Sequence, residues 1–302
     1  MSCLTYKDFR LLLGPYFPKS CTNFISANDW RYQHLSPDRE MALCETLLER
    51  CKTKDFSIAD PDNKARWERG WGENLTAFEK TGDTGALQPK YIRAGQPMRI
   101  QGHFADVVDP NFEANWYRLM QEYIGQSYFS DMNEIYEFGC GSGVNIAVLA
   151  EMFPSKKLVG LDWVQPSVDI LTRMNNKNVS GKLFNFFEPD DVVEFGPKSA
   201  VFTFGALEQT GDQWEPFIQW LLERRPSLCV FVEPIYEMYD AEKFGIDYVA
   251  QEIHRTRNFM IGLDPYLRDL AQDGKIEIVK RQRSFIGSLL LEGYSQIVWR
   301  PL

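Results

Sequence analysis

The sequence predicts an α/β fold in which a mostly parallel, seven-stranded sheet carries helices on both faces and follows a mainly helical N-terminal region. From residue 134 onward, short apolar runs alternate with helical patterns, an order that is typical of parallel sheets. Residues 1–115 lack this alternation and contain helix candidates at 37–51 and 63–80. We therefore divide the chain into an N-terminal cap region, 1–115, and a sheet domain, 116–302.

The strands are predicted from short apolar runs that end at Gly, Pro or polar residues. They are 134–138, 157–162, 182–187, 200–204, 228–232, 275–281 and 294–299. Helices are predicted where apolar residues recur at intervals of three and four, and the segments are 111–124, 145–153, 166–174, 214–222, 247–260 and one that opens at Asp264-Pro265. Only a short linker separates the last two strands, which predicts an antiparallel hairpin.

Composition narrows the class of protein. The chain has 302 residues, of which 44% are hydrophobic and 25% charged, a balance typical of globular domains. No apolar run approaches the roughly 20 residues that a membrane span requires. The six cysteines form no Cys-x-x-Cys pair and the three histidines lie far apart, so no metal site is expected. Scattered cysteines without a secretion signal favour reduced thiols and a cytoplasmic location.

Charge is unevenly distributed and acidic. Residues 1–115 hold 15 basic and 16 acidic side chains, a net charge of −1, and the remaining residues supply −8 of the total of −9. A nucleic-acid-binding protein usually carries a basic surface. We therefore expect no nucleic-acid partner, whereas a monomer and an oligomer are both compatible with the sequence.

A glycine-rich loop follows the first strand of the sheet domain, in the segment Glu137-Phe138-Gly139-Cys140-Gly141-Ser142-Gly143. Glycines allow a tight turn and a close approach of ligand to backbone. The helix that begins after the loop presents free N–H groups, which favour a negative group such as a pyrophosphate or a carboxylate. A dinucleotide fingerprint needs glycine at position 144, which is valine here.

The segment Glu137, Gly139, Gly141 and Gly143 resembles the first motif of class I, Rossmann-like S-adenosylmethionine-dependent methyltransferases. The resemblance covers about residues 130–235. It implies that the glycines pass close to the methionine part of the cofactor and that the leading acid contributes to the same site. Cys140 is included in the predicted cofactor site because it lies inside the loop. It also implies a seven-stranded sheet with one antiparallel strand.

Three further segments carry the resemblance. Asp162 ends the second strand and is expected to accept hydrogen bonds from the ribose hydroxyls, with Trp163 beside the adenine. Asn185 and Phe186 lie at the end of the predicted third strand, where the family often has Asp; an asparagine amide oxygen can still accept a bond from adenine. The segment from Phe204 to Thr210 resembles the family's stretch after the fourth strand, with Gln209 in place of histidine.

These motifs predict methyl transfer from S-adenosylmethionine to a small-molecule acceptor, with a hydroxyl of a sugar, a polysaccharide precursor or a secondary metabolite favoured. A hydroxyl acceptor needs a base, and the candidates are His103, His254 and Glu208. We expect the N-terminal region and an insertion at 236–273 to close the acceptor pocket together. Two alternatives stay open: a nucleotide-binding oxidoreductase on a related sheet, and a non-catalytic scaffold of the same fold.

Overall fold

The computed structural model describes residues 1–302, and its N-terminal part combines helices with short strands. The helices are α1 (Tyr6–Leu13), α2 (Lys19–Ala27), α3 (Pro37–Lys52), α4 (Lys64–Thr81) and α5 (Phe112–Ile124), and the strands are β1 (Ser2–Cys3), β2 (Arg31–His34), β3 (Met98–Ile100) and β4 (His103–Val107). The helices predicted at 37–51, 63–80 and 111–124 are confirmed to within one residue at either end. The strands were not predicted, because two to five residues are too few for an alternating pattern to be visible.

The predicted Rossmann-like sheet is present. Its strands are β5 (Glu134–Phe138), β6 (Lys157–Asp162), β7 (Val179–Leu183), β8 (Ser199–Phe204), β9 (Leu228–Glu233), β10 (Ile276–Gln282) and β12 (Ser295–Pro301), whereas β11 (Ile286–Gly287) lies elsewhere. In space the order is β10-β12-β9-β8-β5-β6-β7. The five strands from β5 to β9 pair in parallel, and β12 is antiparallel to both of its neighbours. The expectation of one antiparallel strand is therefore confirmed.

The third strand was predicted too far along the chain, at 182–187. The pairing with β6 starts at Val179 and stops at Leu183. β7 is the edge strand, and all five of its residues are exposed or half-buried, so it lacks the continuous apolar run from which strands were predicted. The aromatic residues that suggested a strand follow its end: Phe184 packs against Phe138 across a ring-centroid distance of 4.7 Å.

The C-terminal antiparallel pair is confirmed, but its connection is not a tight turn. Between β10 and β12 the chain leaves the sheet, and β11 pairs with β3 at Ile100 and Arg99. This pairing completes a second, five-stranded antiparallel sheet with the order β1-β2-β4-β3-β11. The N-terminal and C-terminal parts of the chain therefore share one sheet.

Helices cover both faces of the seven-stranded sheet. They are α6 (Val144–Met152), α7 (Gln165–Arg173), α8 (Glu215–Arg224), α9 (Gly245–Arg257) and α10 (Leu263–Gln272). Adjacent residues of a strand point to opposite faces, so Ile135 belongs to one hydrophobic cluster and Tyr136 to another. The first cluster also contains Phe9 and Trp116, so the N-terminal helices complete the core on that face.

A buried ionic network joins α9 to the connection between β10 and β12. Arg283 donates two hydrogen bonds to Asp247, at 2.6 and 2.7 Å, and two to Glu292, at 2.7 and 2.8 Å. All three side chains are almost completely buried. Each charge is thus paired inside the protein, which is the condition under which buried charges are tolerated.

No helix of the structure combines the length and the apolar character needed to cross a membrane.

Candidate functional site

The glycine loop joins β5 to α6 in a conformation that side chains would strain. Gly139, Gly141 and Gly143 have φ angles of 74°, 52° and 72°. A Cβ atom on Gly139 would lie 2.4 Å from Cβ of Ala206, and one on Gly143 would lie 2.7 Å from a methyl group of Leu171. Glycine is therefore needed at these positions for two reasons: the φ angles are positive, and neighbouring segments approach too closely for a side chain.

Glu137, the last but one residue of β5, is buried, and only one of its two carboxylate oxygens has a hydrogen-bond partner. Its Oε1 accepts a hydrogen bond of 2.6 Å from Nδ2 of Asn145, whose own oxygen accepts bonds from Tyr117 and Gln121. Its Oε2 is buried without a partner. Burial raises the pKa of the Glu137 carboxyl well above its usual value. A ligand with N–H groups or positive charge would satisfy the free oxygen.

Asp162, the last residue of β6, points back to the glycine loop. Its Oδ2 accepts a bond of 2.8 Å from the backbone N–H of Gly141, and its Oδ1 accepts one of 3.3 Å from Val164. Burial raises the pKa of Asp162 to about 6. Two carboxylate oxygens offer about four acceptor positions, so capacity remains for a ligand's hydroxyl groups.

Two adjoining cavities lie at the carboxyl ends of the parallel strands. The outer one has a volume of about 460 Å³ and the inner one about 70 Å³. They share the walls formed by Trp163, Phe184, Asn185 and Phe187. The inner cavity is also lined by Gly139, Asp162, Phe186, Gly205, Ala206, Gln209 and Thr210. The carboxyl ends of parallel strands are where α/β sheets bind their ligands.

The opposite wall of the inner cavity comes from the N-terminal region. Trp67 and Trp71 of α4 line it together with Asp60. The two indoles stack with centroids 5.8 Å apart, and Trp71 lies 2.7 Å from the position of a Cβ on Gly141. Their four-residue spacing places both on one face of the helix, but the spacing alone could not show that this face lines a cavity.

The residues predicted for the cofactor fall into two groups. Gly139, Asp162, Trp163, Asn185 and Phe186 line the cavities. Glu137, Cys140, Gly141, Gly143 and Phe204 lie on the same strand ends and loop but are not on the cavity walls. Their surroundings are the neighbouring elements: the Cys140 side chain is buried beside Gly160, and Phe204 packs on Tyr117.

Asn185 stabilises the turn that follows β7. Its side-chain oxygen accepts a hydrogen bond of 3.1 Å from the backbone N–H of Phe187. This bond shapes the segment after β7 and leaves the amide on the wall of both cavities.

The three candidate bases occupy different environments. His103 is half exposed on β4, 3.2 Å from a carboxylate oxygen of Glu40, and lies outside the cavity walls. His254 is completely buried among Tyr236, Tyr239 and Phe259, and burial lowers its pKa to about 3. The structure therefore brings neither histidine to the cavities.

Glu208 lies beside the cavities. Its Oε1 accepts a bond of 2.9 Å from Gln209, which lines the inner cavity, and its Oε2 is buried without a partner. Its backbone N–H and those of Ala206 and Leu207 donate to the carboxyl of Glu233. Burial and the neighbouring Glu208 raise the pKa of Glu233 well above its usual value.

A group of tyrosines at the same end of β8 was missed by the sequence reasoning. The Tyr91 hydroxyl lies 3.8 Å from the position of a Cβ on Gly205, and the ring of Tyr117 lies 4.8 Å from that of Phe204. The Tyr91 side chain is about half exposed, and a phenol hydroxyl is protonated at neutral pH, so it can donate a hydrogen bond. No motif surrounds Tyr91, and only the fold places it here.

The chain is similar to several solved structures at low sequence identity. No protein-family model matches the chain, and no curated protein matches it. Among solved structures, an O-methyltransferase (NcsB1) from neocarzinostatin biosynthesis in complex with S-adenosylmethionine shows 15% identity over 79% of this chain and 70% of that one, with a TM-score of 0.42.

Two other solved structures are similar at the same level. A geranyl diphosphate C-methyltransferase from Streptomyces coelicolor A3(2), in complex with S-adenosyl-L-homocysteine, shows 14% identity over 81% of this chain and 98% of that one, with a TM-score of 0.47. The small RNA methyltransferase HEN1 shows 18% identity over 62% of this chain and 25% of that one, with a TM-score of 0.42. The function of this chain must be argued from its own residues.

Proposed function

We propose that the chain is an S-adenosylmethionine-dependent methyltransferase that acts on a small-molecule acceptor. The observation that carries the proposal is the alignment of three features along neighbouring strand ends. The buried carboxyl of Glu137, one oxygen of which has no partner, lies one residue before the end of β5; a glycine loop follows the strand, and the carboxyl of Asp162 at the end of β6 faces that loop. Because these ends are adjacent in the sheet, an elongated nucleoside along them would lie against Gly139 and Asp162, with the Glu137 carboxyl buried two residues before the first glycine of the loop.

The residues present fit such a ligand. Glu137 has a free, buried oxygen for the ammonium group of the amino-acid tail. Asp162 retains acceptor capacity for the two ribose hydroxyls, and Trp163 and Asn185 offer an apolar face and an amide to the adenine. Gly139 and Asp162 line the inner cavity, of about 70 Å³, and Trp163 and Asn185 line both it and the adjoining outer cavity of about 460 Å³, so the nucleoside would extend across both.

When bound, S-adenosylmethionine supplies an activated methyl group on a positively charged sulfur. The chain's own residues then have to align the acceptor and remove one proton. Of the three candidate bases, Glu208 is the one whose hydrogen-bond partner, Gln209, lines the inner cavity, so we assign it the proton-accepting role. The protonated hydroxyl of Tyr91, near Gly205, is placed to donate a hydrogen bond to the acceptor.

The class of acceptor is argued from charge and from the cavity walls. The chain carries a net charge of −9, which disfavours a bulk nucleic-acid substrate. Aromatic residues from the N-terminal region line the inner cavity, and flat apolar faces suit a small organic or sugar-like acceptor. A hydroxyl is the favoured methylated group, since a carboxylate base is useful for an acceptor that must lose a proton.

Calorimetric titration with S-adenosylmethionine and with S-adenosylhomocysteine tests the cofactor assignment. We expect both to bind the wild-type protein, and we expect Asp162→Ala to weaken both at least tenfold, because each hydrogen bond to a charged acceptor contributes about 1.5–3 kcal/mol. Absence of heat with either nucleoside on folded wild-type protein would refute the assignment. A screen of hydroxyl-bearing acceptors with methyl-labelled cofactor then identifies the substrate, and turnover excludes a non-catalytic scaffold.

A further inference from the structure

We propose that Trp71, supported by Trp67, forms a cation-binding wall of the cavity that distinguishes the sulfonium nucleoside from its neutral thioether product. This inference rests on the proposed function and adds to it the residues that make the site prefer positive charge. Such a preference matters for turnover, because a product that binds as tightly as the substrate occupies the site after the reaction.

The geometry places Trp71 directly over the glycine loop. Trp67 and Trp71 lie on one face of α4, four residues apart, and both are half-buried on the inner cavity wall. The ring of Trp71 lies 2.7 Å from where Gly141 would carry a Cβ, so no side chain could be added to the loop beneath it. Trp71, Gly139 and Asp162 also line the same cavity, so a ligand that extends from Gly139 to Asp162 passes beside this indole.

Hydrogen bonds and an ion pair hold α4 in this position. Asn74 donates a bond of 2.8 Å to the backbone oxygen of Ala86, and the hydroxyl of Ser142 donates one of 2.6 Å to the backbone oxygen of Leu87. Near its C-terminus, Glu79 pairs with Arg173 of α7 at 2.7 Å. The segment after α4 is thus fastened to the glycine loop itself, which gives the indoles a defined place above it.

The chemistry of the wall favours a cation. The face of an indole attracts a positive charge within about 6 Å of its centre, more strongly than the ring of Tyr or Phe does. The guanidinium of Arg66 already lies 5.3 Å from the centre of the Trp67 ring, whereas no cation of the protein lies over Trp71. Asp60 and Asp162 line the same cavity, so its charged side chains reinforce the preference.

Titration calorimetry on the full chain tests the assignment by comparing two ligands that differ in one charge. S-adenosylmethionine and S-adenosylhomocysteine are titrated into the wild-type protein, Trp71→Leu and Trp71→Phe. We expect Trp71→Leu to reduce the preference for S-adenosylmethionine over S-adenosylhomocysteine by about 2- to 30-fold, the range of cation–π interactions at exposed to desolvated sites. Trp71→Phe should retain part of the preference.

Trp163→Leu is the matched control, because Trp163 lies on the cavity wall beside Asn185 and would contact the adenosine that both ligands share. It should weaken both ligands by the same factor. An equal loss for both ligands in Trp71→Leu would show that the indole only packs and would overturn the inference. If Trp71→Leu does not fold, as judged by thermal unfolding, the same comparison with Trp71→Phe decides. A wild-type protein that binds neither ligand would instead refute the proposed function.

Discussion

The substitution Gly139→Ala separates backbone strain from steric conflict at the glycine loop. Gly139 has a φ angle of 74°, and an added Cβ would lie 2.4 Å from Cβ of Ala206. Ala206 has no flexible end that could yield, so the backbone of one segment must move. Gly82, at the C-terminal end of α4, is the matched control: its φ is 66°, and an added Cβ would meet nothing within 4 Å.

The expected magnitudes follow from these two environments. The left-handed conformation costs an alanine about 1–2 kcal/mol, and the reduced entropy of the unfolded chain returns about 0.4–1 kcal/mol. Gly82→Ala should therefore lower the free energy of unfolding by about 1 kcal/mol. Gly139→Ala adds overpacking of about 1–3 kcal/mol, for a total of about 2–4 kcal/mol.

Denaturant unfolding of both variants measures these values, and calorimetric titration with S-adenosylhomocysteine measures the site. Because Gly139 and Ala206 both line the inner cavity, we expect Gly139→Ala to weaken this ligand at least tenfold and Gly82→Ala to leave its affinity unchanged. If the two variants were equally stable and bound equally well, the close contact between the loop and Ala206 would not exist, and the reasoning would be refuted.

Two further predictions concern buried charge. Arg283→Ala should lower the free energy of unfolding by about 3–5 kcal/mol, because Asp247 and Glu292 would remain buried without their partner. Arg300→Ala is the control: it removes an exposed ion pair and should have a much smaller effect. Equal effects of the two substitutions in denaturant unfolding would contradict the buried network. His254 has a folded-state pKa of about 3, below its usual 6.5, so its neutral form stabilises the fold above pH 6.5 and that stability is lost as the pH falls toward 3. His254→Leu should therefore lose less stability than the wild type between pH 6.5 and 4, and parallel curves would show that His254 does not control acid unfolding.

Much of the architecture could be predicted because it depends on local patterns. The order of strands and helices follows from apolar runs and three-to-four spacing, and most boundaries hold within a few residues. The strand predicted at 182–187 fails because its aromatic residues pack beyond the end of an edge strand. An apolar run indicates that its residues are buried. Whether those residues lie within a strand or after its end depends on the pairing of strands in the sheet.

Some residues of the candidate site could likewise be predicted from the sequence, and others could not. The glycine loop and Asp162 could be predicted, since a tight loop between strand and helix needs glycine at fixed positions and an acid at the next strand end is a local feature. The surroundings of the two candidate histidines could not be predicted from sequence. Nothing in the sequence distinguishes the exposure of His103 from that of His254, yet His103 is half exposed on β4 and His254 is completely buried.

By itself, the sequence determined the class of fold, the position of the glycine loop and the strand ends that face it, because these are set by interactions between residues close in the chain. Only the tertiary structure decided that β11 joins the N-terminal sheet, that Trp67 and Trp71 face the cavity, and that Glu208 rather than a histidine lies beside it. Those contacts join segments that are tens to hundreds of residues apart. Their formation depends on how apolar faces are buried together, which no local pattern records.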